Sequence, residues 1–138
     1  MEHVKKKAII FDLDGTVADS APGILDSVEH ALIKMGITPP DRCFLARFVG
    51  PPLRYSFCTY IGLSEEDAEK AVALYREHYA VEGICNNHIF PGVKEFLKKA
   101  TENGKTILQA TSKPAVFAHK TLELFDIQQY FDFVSAAS

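Results

Sequence analysis

The chain has 138 residues, of which 47% are apolar and 24% charged, a composition typical of a globular protein with a single core. Its 15 basic and 18 acidic residues give a net charge of −3, which argues against a nucleic-acid partner. The three cysteines lack C-x-x-C spacing, so we expect neither a zinc site nor disulfides. The apolar run over residues 8–11 is too short for a signal peptide or a membrane span, so we expect a cytoplasmic protein without membrane association.

The first predicted element is a short strand over residues 7–11, where an apolar run ends at Asp12. An apolar run of this length that is followed by a polar, glycine-containing segment is typical of a buried parallel strand opening into a loop. The lysines at positions 5–7 are interpreted as the solvated flank of that strand.

Four helical patterns follow in succession, without an intervening strand pattern. They span residues 20–36, 41–48 and 53–61, and the fourth begins at Ser64. Ser20 and Ser64 are predicted as N-caps, and three acidic residues after Ser64 favour the start of a helix. Together the four segments predict a small helical bundle inserted after the first strand.

From residue 92 onward, helix and strand patterns alternate. Helices are predicted over residues 92–103 and 114–125, and strands over residues 106–110 and 131–134. Such alternation predicts right-handed crossovers and a parallel sheet. The expected fold class is therefore α/β, with a Rossmann-like parallel sheet.

Two carboxylates lie two positions apart where the first strand ends, at Asp12 and Asp14. Ligands of open α/β sheets bind at the carboxyl ends of the strands. Acids at this spacing suit phosphoryl transfer, in which one carboxylate would attack phosphorus while the other exchanges a proton with the leaving oxygen and with water. Gly15 allows the backbone to turn sharply after the acids. A pair of acids in an ordinary loop turn is the alternative interpretation.

A second polar segment, residues 110–113, closes the second predicted strand and is expected to open the next helix. Thr111 comes immediately after the strand and Ser112 follows it, and free backbone N–H groups at the helix start would contribute to phosphate binding. Helix capping by these hydroxyls is the alternative.

Residues 11–16, Phe-Asp-Leu-Asp-Gly-Thr, resemble motif one of the haloacid dehalogenase superfamily, and the segment at Thr111 resembles its motif two. The resemblance implies a three-layer core from residues 1–16 and 89–138, and a helical cap from residues 17–88. It also implies Asp12 as nucleophile and Asp14 as general acid and base. Mg²⁺ would be held by the Asp12 carboxylate and the Asp14 carbonyl, with Gly15, Thr111, Ser112 and Lys113 around the phosphate.

Asp14 indicates the phosphate-processing branch, because dehalogenases of the superfamily lack a second acid. The implied reaction is Mg²⁺-dependent hydrolysis of a small phosphorylated metabolite, with phosphoglycolate or a nucleoside monophosphate as first candidates. Residues 47–54 resemble the cap stretch of phosphoglycolate-phosphatase-like and nucleotidase-like members, so Arg54, and secondly Arg47, would contact the substrate. Solvated surface arginines are the alternative at both positions. At the level of function, the alternatives are a phosphomutase and a non-catalytic fragment.

Two further motifs of the superfamily do not occur in residues 1–138: a lysine expected after the third strand, and an acidic loop that completes the metal site. The core is thus expected to hold only strands one to three, and this chain alone is expected to be a poor phosphatase. In the superfamily strand order 5-4-1-2-3, strand one would then be an open edge, which favours self-association. A shortened chain, a proteolytic remnant and an incomplete reading frame stay open as explanations.

Overall fold

The computed structural model describes residues 7–138, so Lys5 and Lys6 of the predicted lysine flank lie outside the described residues. The strands are β1 (Ala8–Phe11), β2 (Ala18–Asp19), β3 (His88–Ile89), β4 (Thr106–Pro114) and β5 (Phe133–Ala137). The helices are α1 (Ala21–Lys34), α2 (Arg42–Leu45), α3 (Leu53–Ser56), α4 (Glu65–Val81), α5 (Val93–Glu102) and α6 (Ala115–Leu124). The chain divides into two compact units, one of Met1–Ala18 with Ile89–Ser138 and one of Asp19–His88.

The first unit contains a parallel sheet with the order β1-β4-β5, and β2 pairs separately with β3. Both ladders of the larger sheet are parallel, so the predicted α/β class and parallel pairing are confirmed. Among the described strands β1 lies at an edge of that sheet, as predicted. The middle strand, β4, fixes the register through pairs such as Ile9 with Ile107 and Leu108 with Phe133.

One face of this sheet is covered by α5 and α6. Ile107 is fully buried there together with Leu97 of α5 and Leu122 of α6, and Ile9 packs against the same cluster. The opposite face carries Ile10 and Phe133, which are 67% and 64% exposed. Because successive strand residues point to opposite faces, the apolar run at β1 divides between a buried and an exposed side.

Two predicted boundaries near β4 and β5 are wrong. Strand β4 does not end at Ala110 but continues to Pro114, because pairing with β5 resumes at Pro114 and Ala137 after an irregularity. Residues 111–113 therefore lie in the strand end, and they do not open α6, which begins at Ala115. Strand β5 starts at Phe133, after a short 3₁₀ turn over Gln128–Tyr130. Before it, the Ile107 N–H donates to the side chain of Asp132 and not to a backbone carbonyl.

The second unit contains the four predicted helical segments, in which short 3₁₀ and π turns continue α2 and α3. The Ser64 hydroxyl accepts a hydrogen bond from Asp67 N at 3.1 Å and caps α4 as predicted. Ser20 occupies the N-cap position of α1, but its side chain makes no capping bond, so that detail of the prediction is wrong. Its backbone is helical (φ −96°, ψ 0°), whereas capping side chains belong to extended N-cap residues.

Two glycines of the second unit let the α1 backbone approach the segment after α4. A Cβ built on Gly23 would lie 2.0 Å from the Gly83 carbonyl oxygen, and one on Gly83 would lie 2.4 Å from Ser27 Oγ. Both glycines are buried, so neither position has space for a methyl group.

Among the described residues, no helix is long and apolar enough to cross a bilayer.

The close approach predicts that Gly23→Ala destabilises the protein. The new methyl group would overlap a backbone carbonyl, so we expect a loss of about 2 kcal/mol in the free energy of unfolding. This is the net loss, after the gain of up to roughly 1 kcal/mol that Ala has over Gly in a helix. Urea unfolding measures the difference, with Ile33→Ala on the exposed side of the same helix as control, expected within about 0.5 kcal/mol of wild type. Equal unfolding midpoints for Gly23→Ala and wild type would contradict the packing.

Candidate active site

The loop after β1 holds Asp12 and Asp14 on the two sides of a fully buried leucine. Leu13 is 0% exposed, whereas Asp12 is exposed and Asp14 is partly buried. The Leu13 carbonyl accepts hydrogen bonds from the backbone N–H groups of Val17 and Ala18, each at 3.0 Å. The buried leucine and these bonds hold the loop in a tight turn.

Within that turn, the two carboxylates have different surroundings. The Asp12 carboxylate accepts a hydrogen bond from Leu13 N at 2.7 Å, so it is oriented by the backbone while it remains open to solvent. The side chain of Asp14 is 9% exposed and meets Lys113, whose ammonium donates to Asp14 Oδ1 at 3.0 Å. Gly15 follows with φ +80°, a left-handed conformation that glycine adopts without the strain of a side chain.

The structure brings Lys113 to Asp14 through the pairing of β1 with β4. Lys113 is buried, with its side chain 5% exposed, and its backbone N–H donates to Thr111 Oγ1 at 3.1 Å. Thr111 is partly buried and Ser112 is exposed. The Thr111 hydroxyl thus bonds within the strand end, while Pro114 occupies the N-cap position of α6, so helix capping does not explain Thr111.

Gln109 belongs to this region and was not predicted from the sequence. It is 1% exposed, and its Nε2 donates to the Phe11 carbonyl at 2.8 Å, directly before Asp12. Its Oε1 is buried and has no hydrogen-bond partner among the described residues. A polar residue at an inward position of an apolar strand was the available signal, because such residues are buried only where they form hydrogen bonds.

The two arginines predicted to contact a substrate lie in the second unit, and each has a partner there. Arg54 pairs with Glu65 and, at 3.5 Å, with Glu69 of α4. The guanidinium of Arg47 lies over the Phe44 ring, 4.7 Å from its centroid. Arg54 and Glu65 are 52% and 79% exposed, so their pairing adds little stability.

Arg54 also lines an open surface depression of about 340 Å³, with Glu65, Glu66, Glu69 and Lys70. Hydrogen bonds to Glu66 and Asp67 raise the pKa of Lys70. Every charged group of the depression therefore has an oppositely charged neighbour: Lys70 lies 3.1 Å from Glu66, and Arg54 meets the other two glutamates. This arrangement fits a solvated helix surface at least as well as a binding site.

The oxygen atoms of the loop after β1 could supply some, but not all, of the ligands of a magnesium ion. Mg²⁺ is commonly bound by one or two carboxylates together with substrate phosphate oxygens and water, and the exposed Asp12 carboxylate suits that pattern. In residues 7–138, no group of three or more His, Cys, Asp or Glu side chains is arranged to hold a metal. The described residues thus provide oxygens for part of a coordination sphere only.

Comparison with known proteins matches this chain to one family. The family model described as haloacid dehalogenase-like hydrolase matches residues 9–138. A 5'-nucleotidase of Pseudomonas aeruginosa is 42% identical over 123 residues, which cover 89% of this chain and 56% of that protein. A phosphoglycolate phosphatase of Vibrio parahaemolyticus is 32% identical over 133 residues, which cover 91% and 58%.

Two further similarities bear on fold and chemistry. The crystal structure of a predicted phosphatase from Clostridium acetobutylicum matches with a TM-score of 0.92 and 39% identity, over 96% of this chain and 62% of that one. The tyrosine-protein kinase PtkA of Mycobacterium tuberculosis is 38% identical over 130 residues, covering 94% of this chain and 44% of that protein. The chain thus spans about half the length of the curated relatives that it matches.

The buried amide of Gln109 predicts an unusual response to substitution. In Gln109→Leu the bond to Phe11 O is lost, but the unpartnered Oε1 is removed as well, so we expect a change below about 1 kcal/mol in the free energy of unfolding. Gln109→Ala would lose the same bond and leave a cavity, which should cost about 2 kcal/mol more. Urea unfolding of both variants tests this, and a loss in Gln109→Leu as large as in Gln109→Ala would contradict it.

Proposed function

Because the chain belongs to the haloacid dehalogenase-like hydrolase family, we propose that the whole protein hydrolyses a small phosphate monoester with Asp12 as nucleophile. The observation that carries the proposal is the contrast between the two acids. The Asp12 carboxylate is exposed and oriented by a backbone N–H, whereas the Asp14 carboxylate is nearly buried beside Lys113. One acid is thus accessible for attack on phosphorus, and the other is held in place for proton transfer.

In the first half-reaction, a carboxylate oxygen of Asp12 attacks phosphorus, and the bond between phosphorus and the ester oxygen breaks. Asp14 gives its proton to the departing oxygen, so that the leaving group departs as an alcohol. The product on the protein is an aspartyl phosphate at Asp12. Thr111, with Ser112, would donate hydrogen bonds to the phosphoryl oxygens. The N–H groups of Gly15 and Thr16 already donate to Ala18 O and Leu13 O, and they would have to exchange those bonds to bind phosphate.

In the second half-reaction, water attacks the phosphorus of the aspartyl phosphate, and Asp14 accepts a proton from that water. The Asp12 carboxylate is restored and inorganic phosphate leaves. Mg²⁺, held by the Asp12 carboxylate and the Asp14 carbonyl, would offset the negative charge of the phosphoryl oxygens when bound. The choice of the Asp14 carbonyl as a metal ligand rests on the resemblance to the superfamily.

The proposed substrates are small phosphorylated metabolites, with nucleoside monophosphates and phosphoglycolate as the first to test. The relatives named 5'-nucleotidase and phosphoglycolate phosphatase support this choice. We assign the helical segment 17–88 as a cap that contributes to selectivity. Arg54, and secondly Arg47, would contact the substrate, and Arg54 would have to exchange its glutamate partners for it.

Transfer of the phosphoryl group to an acceptor other than water is the second candidate function. It is supported by the relative named tyrosine-protein kinase PtkA, and a phosphomutase of the same superfamily would use the same two acids. Release of inorganic phosphate distinguishes hydrolysis from both, because a mutase yields an isomeric phosphate and a kinase yields a phosphorylated acceptor.

We predict that Asp12→Asn abolishes phosphate release in the active form of the protein, because an amide oxygen is a poor nucleophile. The expected fall in kcat is at least about 1,000-fold, measured as inorganic phosphate from p-nitrophenyl phosphate and adenosine 5'-monophosphate. Asp19→Asn, a nearby acid outside the proposed machinery, serves as control. Residual activity above a few per cent in Asp12→Asn would exclude Asp12 as nucleophile.

The role of Asp14 predicts a loss that depends on the leaving group. Asp14→Asn should lower kcat for adenosine 5'-monophosphate by about 100-fold or more, since an alkoxide needs a proton to depart. An activated aryl phosphate needs little protonation, so the loss on p-nitrophenyl phosphate should stay below about tenfold in the first half-reaction. Rapid-quench measurement of the first turnover separates the two esters, and equal losses would count against Asp14 as the acid.

A further inference from the structure

A buried ion pair connects the loop after β1 with the end of β4, the two segments that form the candidate active site. Lys113 Nζ lies 3.0 Å from Asp14 Oδ1, and the two side chains are only 5% and 9% exposed. Most ion pairs of the described residues lie at the surface, where at least one partner is more than a third exposed. Burial restricts both side chains, so the direction of the Asp14 carboxylate depends on the position of Lys113.

We propose that Lys113 is a positioning residue that fixes the Asp14 carboxyl group, which as the acid protonates the leaving oxygen in the first half-reaction and as the carboxylate accepts a proton from water in the second. This inference rests on the proposed function, because it concerns the acid of that reaction. It differs from the prediction made from the sequence, in which Lys113 would bind the phosphate directly.

The local backbone explains how Lys113 reaches this position. Strand β4 is irregular between Ala110 and Pro114, and it pairs with β5 again at Pro114. Within the irregular part, Lys113 N donates to Thr111 Oγ1 at 3.1 Å. The backbone of Lys113 is therefore held on both sides, and its side chain extends to the loop after β1.

Gln109 holds the other end of the same loop. Its amide donates to the Phe11 carbonyl at 2.8 Å, before Asp12, while Lys113 holds Asp14 after it. The segment with both acids is thus fixed at its start and at its end by side chains of a single strand. General acid catalysis requires this kind of fixed geometry, since a displacement of about 1 Å is enough to lower rates severely.

Direct phosphate binding and positioning of Asp14 predict different kinetics. A lysine that binds the phosphoryl group would matter equally for every ester, with or without Asp14. A lysine that acts through Asp14 would matter most for esters with poor leaving groups, and its effect would disappear once Asp14 is replaced. Two residues that act as a unit give strongly non-additive losses.

The experiment is a double-mutant cycle of Lys113→Met and Asp14→Asn, with first-turnover rates on p-nitrophenyl phosphate and on the faster of adenosine 5'-monophosphate and phosphoglycolate. We expect Lys113→Met to slow the alkyl ester by about 100-fold and the aryl ester by less than about tenfold. In the Asp14→Asn background, Lys113→Met should add less than about threefold. Equal losses on both esters, or losses that multiply, would overturn the positioning role and favour direct phosphate binding.

Three controls keep the result interpretable. Lys120→Met removes an exposed lysine of α6 and should leave both rates unchanged. Lys113→Gln, which keeps a neutral donor, replaces Lys113→Met if that variant does not fold, and the same leaving-group split is expected. In urea unfolding, the double variant should be more stable than Lys113→Met, because it also removes the nearly buried negative charge that has lost its ammonium partner. All variants are made in the whole protein. If the unmutated whole protein releases no phosphate from any ester, the proposed function fails; release with additive variants refutes the positioning role alone.

Discussion

The pairing of β1 with β4 is the interaction on which the candidate site depends. The two strands are 98 residues apart in their register, and their parallel alignment brings both carboxyl ends to one edge of the sheet. The loop with Asp12 and Asp14 follows one strand, and the irregular segment with Thr111 and Lys113 ends the other. Loss of this ladder would separate the acids from the lysine and from Gln109, whatever the state of the second unit.

The Asp14–Lys113 pair is better explained by geometry than by stability. Burying two charges costs desolvation energy that their attraction often only offsets, so a buried pair is weak evidence for a stabilising role. In other proteins, replacement of a buried ion pair by apolar residues of similar volume is often neutral or stabilising. The burial of the pair beside an exposed carboxylate is consistent with a site in which one acid must keep a fixed direction and the other must stay accessible.

Local sequence patterns predicted much of the fold. The short apolar run before Asp12 predicted β1, and Ser64 with the following acids predicted the start of α4, because both signals lie within a few residues of the element they specify. The parallel sheet followed from the alternation of strands and helices. The strand end at residues 111–114 was mispredicted because it depends on pairing with β5, which no pattern within β4 records.

The candidate site was predictable in its residue types but not in its contacts. The acids and the hydroxyls were identified from their positions at strand ends, whereas the partner of Asp14 lies 99 residues away, beyond the reach of any local pattern. Gln109 carried a local signal as a polar residue at an inward strand position, but its bond to the Phe11 carbonyl exists only after the strands pair. Ser20 shows the opposite error, because a residue with the right identity has the wrong backbone conformation for capping.

The most direct test of the central claim is to trap the covalent intermediate on Asp12. The active protein is mixed with p-nitrophenyl phosphate, quenched within the first turnover and treated with borohydride, which reduces an aspartyl phosphate to homoserine. Mass spectrometry of the peptides should then find homoserine at position 12 in the presence of the ester, and aspartate in its absence. Turnover without any modification of Asp12, or reduction at a different acid, would contradict the proposed nucleophile.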